Sequence, residues 1–570
     1  MFSVNDVVNK HYPNVADKPW LSKSLIFFLR HLLHEKEISE FGADYPHLLG
    51  VDFVEQVLEY FNVSYSIRDN EKERIPSQGR VVIIANHPIG SIDGLALIKL
   101  ISEVRSDIKV VANEMLMAIK PLHDILLPVN NMQGGTAKEC LSAINAHLQH
   151  EGVLLIFPAG EVSRLRIEGV RDISWRSGFL RIAKKAKAPV LPIFIDAKNS
   201  PLFYGVSMIY KPLSTMLLVK EMFKQRLKHL PMRIGEMIPY ESYSAGKIAT
   251  QQQVKLFRKH LYRIGTNKKL IFETQKAIAL PEERKSLSKA IKSKCSMLGE
   301  TSDGKLIYLY THEGSSTIMR EIGRLREIAF RAVGEGSNKR RDIDQFDSHY
   351  FHIILWDKDD LEIIGAYRLG DAKKLMQSND STGTNSGLYT ATLFDFNESM
   401  QPYLEQGLEL GRSFVQPQYW GKRSLDYLWY GIGAFLKQNP QYKYLFGPVS
   451  LSNSYPQTAK DLMVQFYHSH FGQKEQLANA KYPCTLLPEL QDLFPGTNYK
   501  EEFTLLKHLL ANIGVTVPTL YKQYSELCEP GGVKFLSFNI DPDFNDCIDG
   551  LVMTDVTMIK EKKRQRYIGN

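Results

Sequence analysis

A chain of 570 residues with 44% hydrophobic and 24% charged side chains has globular composition, which excludes disorder and collagen-like repeats. It also exceeds the roughly 250–300 residues at which one core stops growing, so two domains are expected. The formal charge of +8 is uneven, since residues 201–300 hold 19 Lys or Arg against 7 Asp or Glu, a block that attracts anionic partners.

Five cysteines (Cys140, Cys295, Cys484, Cys528, Cys547) are scattered without a C-x-x-C pair, which argues for reduced thiols rather than a zinc ribbon or disulfide framework. No apolar run reaches the ~18–20 residues of a spanning helix. The opening MFSVNDVVNKHYP has no basic segment leading into an apolar core, so a cytoplasmic chain is expected. Residues 20–41 set Leu21, Leu25, Phe28 and Leu32 in an apolar stripe beside Lys23, Arg30 and His31. VVIIA (81–85), IKVVA (108–112), VLLIF (153–157) and VLPIFI (190–195) read as buried strands, with helices over 95–104 and 137–150. That alternation predicts an α/β domain. Residues 201–230 carry a second apolar stripe, Leu202 to Met222, followed by Lys224, Arg226 and Lys228. Each stripe fits an interfacial helix as well as a core-packed one; together with the basic block they point to the inner membrane surface. Residues 276–304, polar and charged, are expected as a linker with one helix between domains at 1–275 and 305–570. Longer strands follow at 305–311, 350–357, 361–370 and 408–416, then an amphipathic helix over 424–436.

The strand 81–85 runs into Asn86, His87, Pro88, Ile89, Gly90, Ser91, Ile92 and Asp93. A histidine at a strand end, a Pro/Gly turn and a carboxylate at a helix start can form a base and its orienter. A loop histidine beside a first-turn carboxylate favoured by the helix dipole has the same spacing. IFPAGEVSR (156–164) adds a strand end and a glycine turn with Glu161, Ser163 and Arg164, where arginine beside freed amides suits phosphate or carboxylate. With APVLP (188–192), these segments resemble the glycerolipid acyltransferase family over roughly residues 50–240. FPAGEVS is similar to its haemolysin-like branch, which includes acyltransferases of amino-acid-containing lipids. The resemblance implies His87 as base toward a hydroxyl, Asp93 as its orienter, and Gly90, Phe157, Pro158, Gly160, Glu161 and Arg164 around the acceptor. Five residues separate His87 from Asp93 where the family has four, and Ala159 and Glu161 replace its Glu and Thr. Those departures bear against a glycerol-phosphate acceptor.

In the second half, a strand from Glu409 to Gln416 leads through Pro417 to Gln418, Tyr419, Trp420, Gly421, Lys422, Arg423 and a helix. Strand, glycine turn and helix N-terminus make an anion cradle. Upstream lie Arg326 and Arg331 around EIAF, then Asp342, Asp344, Phe346 and Asp347, then IGAYR ending at Arg368. The aspartates also fit a solvated loop, and their spacing lacks the Gly and distal Glu of an EF-hand, so no metal is expected. The ordered set resembles the GNAT-like acyl-homoserine-lactone synthases and ornithine-lipid N-acyltransferases over roughly residues 305–555. PTLYKQY (518–524) and DPDFND (541–546) resemble the lipid branch. The resemblance implies that Glu409 helps deprotonate an ammonium and that Arg368 and Arg412 hold a carboxylate. Val415, Gln418, Gly421, Lys422 and Arg423 would hold the donor's phosphopantetheine. Residues three apart on a regular strand face opposite sides, so Glu409 and Arg412 share a site only if the strand is bulged.

The expected architecture is α/β throughout: an N-terminal glycerolipid-acyltransferase-like αβ domain and a C-terminal GNAT-like mixed-sheet domain. Bifunctional ornithine-lipid synthases have this arrangement. The resemblance implies transfer of a 3-hydroxyacyl group from acyl carrier protein to an amino acid, ornithine in that family, and then O-acylation of the new hydroxyl. Acyl transfer from carrier-protein thioester or acyl-CoA needs no redox cofactor or metal. Expected partners are acyl carrier protein, a membrane lipid surface, an amino acid and a lyso-lipid. Nucleic acid is not among them, for want of a reading motif. A single-function lysophospholipid acyltransferase with a regulatory second half is the alternative enzyme, and a membrane-active, haemolysin-like non-enzyme the alternative of another class.

Overall fold

In the computed structural model the chain divides into two units, Met1–Leu280 and Pro281–Asn570. The residues described are 30, 34–68, 70–113, 116, 117, 119–129, 138–166, 169–209, 221–223, 229–244, 248–312, 314, 316–377, 387–473, 475–484, 487, 490, 493–544 and 546–569.

Strands with no polar face need cover on both sides, and Val81–Ala85, buried at every position, has it. Val81, Ile83 and Ala85 enter one core with Val54, Leu58, Ile92 and Leu100. Val82 and Ile84 enter another with Ile144, Leu180, Phe257 and Leu261. The strand lies inside a seven-stranded sheet ordered Ser64–Ser66, His229–Ile234, Val190–Ile195, Val81–Ala85, Val153–Ile156, Ile108–Asn113, Leu126–Val129. All pairs are parallel except Val190–Ile195 with His229–Ile234. The first unit is the α/β domain expected, and the loop after Val81–Ala85 emerges at the carboxyl end of an inner strand, where open α/β sheets carry their sites.

Leu21, Leu25, Phe28 and Leu32 lie outside the described residues, as do Lys220, Lys224, Arg226 and Lys228. Pro201–Ile209 is a helix with Phe203 fully buried and Leu202 exposed. Among the described residues no helix is long and apolar enough to cross a membrane.

The second unit is built on an eight-stranded mixed sheet: Cys295–Glu300, Leu306–Thr311, Phe351–Asp357, Glu362–Asp371, Gly407–Val415, Tyr444–Leu451, Cys547–Asp555, Val533–Asp541. Alternation again divides two cores. Ile353 and Leu355 meet Tyr427, Leu428 and Ile432 of the helix Ser424–Gln438. Ile354 and Trp356 meet Ile318, Ile322 and Leu325 of the helix Thr317–Ala332. Every neighbouring pair is antiparallel except Gly407–Val415 with Tyr444–Leu451, which are parallel and paired only as Gly407↔Tyr444, Leu408↔Leu445 and Glu409↔Phe446. Past Glu409 the two strands share no ladder. This is the GNAT-like sheet expected.

Residues 276–304, expected as a linker, are instead largely built into this unit. Arg284–Lys294 is a helix that buries Leu287 and Ile291 against the sheet, and Cys295–Glu300 is the outer strand. The helix expected in this stretch is thus Arg284–Lys294, and two apolar residues four apart suffice to seat a short helix whose other faces are polar.

Candidate functional site

In the first unit, Gly90 has φ +122° and ψ −129°, a conformation open essentially to glycine alone. It turns the chain so that Asp93 caps its own helix, Oδ2 accepting the N–H groups of Ile89 (2.8 Å) and Gly90 (3.0 Å). His87 Nδ1 lies 3.2 Å from the same Oδ2, with Asp93 fully buried and the imidazole 19% exposed. The His87 ring rests on Phe157, centroids 4.2 Å apart. Asn86 fastens the strand end to Val190–Ile195, donating to Ile195 O (2.8 Å) and accepting from Ile195 N (2.7 Å). The structure thus brings the predicted pair together at a partly open position.

Asp172 went unremarked in sequence. Fully buried, it accepts the His87 backbone N–H (3.2 Å), the Ser163 hydroxyl (2.5 Å) and the Trp175 indole N–H (2.8 Å). Ser163 N–H in turn donates to His87 O at 2.7 Å. Both backbone groups of His87 are therefore fixed by the FPAGEVSR segment and the buried carboxylate behind it. Burial pushes the Asp172 pKa upward against these hydrogen bonds. Gly160 has φ +66° at the turn, and Pro158 O accepts from Arg176 N. Arg164 is 3.7 Å from Glu161 and lies over the Phe203 ring at 5.3 Å.

In the second unit Arg368, 1% exposed, donates through Nη1 to both oxygens of Asp344 (2.7 and 2.8 Å) and to Asp347 (3.2 Å). Arg326 Nη1 donates to Asp347 at 2.8 Å. Asp342 and Asp347 are buried and Asp344 half-buried, so these aspartates are not a solvated loop. Burial alone would raise Asp347, but Arg326 and Arg368 outweigh it and hold the carboxyl well below its ordinary range. His352, fully buried beside Arg326, is pushed down to about 3.

The strand Gly407–Val415 slips register against Glu362–Asp371 between Ala366 and Arg368, with Gly411 opposite Arg368 and Phe414 opposite Ala366. Arg412, inside that slip, has φ +50°. The bulge turns its guanidinium to 3.8 Å from Asp342 and 3.5 Å from Asp344, over the rings of Tyr389 (5.1 Å) and Phe544 (4.8 Å). Glu409 accepts from the Tyr350 phenol and from Thr390 N–H (2.6 Å). It is 1% exposed, and burial raises its pKa. Both oxygens of Glu409 are turned inward and engaged, and the side chain holds Tyr350 and residues 389–390 in place.

Two other carboxyls have pKa values raised toward neutrality. Asp549, opposite Ser450 in the ladder, is pushed up to about 7 by burial and by Asp541. Glu335 is pushed up to about 8 by burial and by Asp549, with Arg412 opposing in both cases. Asp541 is held by the Tyr389 phenol at 2.9 Å. Neither Glu335 nor Asp549 belongs to a spaced motif, so no pattern marked them.

In the loop after Gly407–Val415, Gln418, Gly421, Lys422 and Arg423 are exposed at the N-terminus of Ser424–Gln438. Gly421 has φ +76°, Trp420 Nε1 donates to Val415 O (2.8 Å), Gln418 donates to Glu362 (2.8 Å), and Lys422 lies over Tyr419. A helix start beside two cations suits an anion.

Residues 7–269 match the family described as Acyltransferase, and residues 325–430 match the Acetyltransferase (GNAT) domain. The chain is 34% identical over 278 residues to a glycine N(alpha)-acyltransferase of Phocaeicola vulgatus, an alignment covering 46% of this chain and 83% of that protein. A lyso-glycine lipid O-acyltransferase of Bacteroides thetaiotaomicron is 28% identical over 239 residues, covering 41% of this chain and 87% of its own length. An L-ornithine N(alpha)-acyltransferase of Agrobacterium fabrum is 29% identical over 254 residues, covering 43% and 78% respectively.

Proposed function

Because this chain belongs to the acyltransferase family of the Phocaeicola glycine N(alpha)-acyltransferase and carries a further acyltransferase domain in its first half, we propose that it builds a two-chain amino-acid lipid by two acyl transfers. The second unit acylates the amine of an amino acid with a 3-hydroxyacyl group. The first unit acylates the hydroxyl of that product. One observation carries the reading: a single chain is similar both to a glycine N(alpha)-acyltransferase and to a lyso-glycine lipid O-acyltransferase. Glycine is favoured over ornithine as the amino acid, since the glycine enzyme is 34% identical and the ornithine enzyme 29%.

In the second unit the amino acid's carboxylate faces Arg412, whose guanidinium the bulge brings beside Tyr389, while Arg368 fixes Asp344 and Asp347. The ammonium must lose a proton before its nitrogen attacks the thioester carbon, and Asp549 and Glu335 have pKa values suited to that. The thioester's phosphopantetheine lies on the loop Gln418–Arg423, and its acyl end enters where Gly407–Val415 and Tyr444–Leu451 part. The thiol leaves as the amide forms.

In the first unit His87 takes the proton of the new hydroxyl as its oxygen attacks a second thioester, and Asp93 stabilises the imidazolium. Arg164 receives the lyso-lipid's carboxylate. The donor is an acyl carrier protein, and the enzyme works at the inner face of the membrane, where its product is inserted.

Expression in a bacterium that lacks amino lipids, followed by lipid extraction and mass spectrometry, tests the reading. A mono-acylated amide and its O-acylated derivative are expected. Absence of any amino-acid amide would refute it. An amide without the second chain would refute the role of the first unit.

A further inference from the structure

The helix Arg284–Lys294 seats Leu287 and Ile291 on the sheet. Its outward side carries Lys285, Lys289 and Lys292, spaced as one face of a helix and all exposed. Together with Ser288, Ser293 and Leu361 they line an open groove of about 540 Å³. No carboxylate is among the lining residues, and none of the three lysines is paired with one among the described residues. Leu361 gives the groove an apolar element.

The groove adjoins the donor loop. Arg284, at the head of the helix, lies 3.5 Å from Glu362 Oε2. The other oxygen of Glu362 accepts from Gln418 Nε2 at 2.8 Å and from the Tyr419 phenol. Leu361 and Glu362 are consecutive, so groove and loop meet at one hairpin. We propose that this lysine-lined groove docks an acidic helix of the carrier protein that presents the acyl thioester to the second unit. The inference rests on the thioester-donor reading given above.

Continuity with the donor loop favours this occupant over a lipid surface. A carrier must sit where its prosthetic arm can enter the site, whereas a patch that only holds the chain to a membrane has no need to adjoin that loop. The groove is also too open to enclose a small ligand, and complementary charge at an open surface raises the association rate.

The test uses the full chain and the variant Lys285→Glu/Lys289→Glu/Lys292→Glu, with Lys562→Glu as a control at an exposed position in the same unit. Amide formation is measured with acyl carrier protein and with the same acyl group on pantetheine, and binding of unacylated carrier (by fluorescence anisotropy) and of anionic vesicles (by sedimentation) is followed at several salt concentrations. The triple variant should raise the apparent KM for the carrier at least about tenfold at low salt. The difference should shrink as salt screens charges beyond ~8 Å. Rates with acyl-pantetheine and the behaviour of Lys562→Glu should be unchanged. Unaltered carrier binding, or equal loss with both donors, overturns the proposal; so does retained carrier binding with lost binding to anionic vesicles, which would make the groove a lipid contact. If the wild type forms no amide with either donor, the function proposed above fails, and the anisotropy measurement still decides the docking surface.

Discussion

Glu409 and Arg412, three residues apart on one strand, are anchored to consecutive residues: Glu409 accepts the N–H of Thr390, and Arg412 lies over the ring of Tyr389. A regular strand would send them to opposite faces. The bulge opposite Tyr367, with Arg412 at φ +50°, makes the arrangement possible.

That conformation predicts an ordering of variants. Left-handed backbone costs a non-glycine residue about 1–2 kcal/mol. Arg412→Gly should therefore keep the second unit more stable than Arg412→Ala by about 1 kcal/mol, although both lose the guanidinium and with it amide formation. Urea unfolding of the full chain, followed by a probe in the second unit, checks this. An alanine variant as stable as the glycine variant would mean that the bulge is not held at residue 412.

His87→Ala should block the second acylation and leave the first. Loss of a general base costs about 10²–10⁴-fold, so the mono-acylated amide should accumulate in place of the two-chain lipid. A normal ratio of the two products in lipid extracts would remove His87 from the reaction.

Asp172→Asn should act on the same step through His87. The amide is the size of the carboxylate but offers one acceptor atom where three donors converge, so one donor is left unmet, at about 1–3 kcal/mol. The turnover number for O-acylation should fall about tenfold or more, since small misplacement of a catalytic group is expensive, while KM for the lyso-lipid changes little. An unchanged turnover number would leave Asp172 with a purely structural part.

The parts legible in sequence are those fixed by local spacing. His87, Gly90 and Asp93 lie within one turn and were readable as a unit. Val81–Ala85 and Phe351–Asp357 announced themselves by runs of β-branched and aromatic residues. Asp172, 85 residues from His87, is bound to it through backbone atoms, which leave no residue-type signal. Glu335 and Asp549 influence each other only because the chain after a helix and a sheet strand converge, and the contact of Glu409 with Tyr350 joins residues 59 apart in sequence.

The last prediction separates the chemistry of Asp549 from its effect on the fold. Its pKa in the folded chain is near 7, above the ordinary carboxylate value of about 4, so between those values the native state binds more protons than the unfolded one. Stability tied to this group is therefore complete below about pH 4 and is lost as pH rises through 7. In Asp549→Asn that loss disappears. The variant should match the wild type near pH 4.5 and exceed it by about 2–4 kcal/mol at pH 8, at about 1.4 kcal/mol per unit of raised pKa. Amide formation should move the other way. If Asp549 takes the ammonium's proton, the wild-type rate should rise through pH 7, and the variant should lose most of its rate together with that limb. Thermal unfolding over pH 4–9 and initial rates over pH 5–9 give both readings from one preparation. A variant that gains stability at pH 8 and keeps the wild-type rate profile would show Asp549 to be a buried acid without a part in proton transfer.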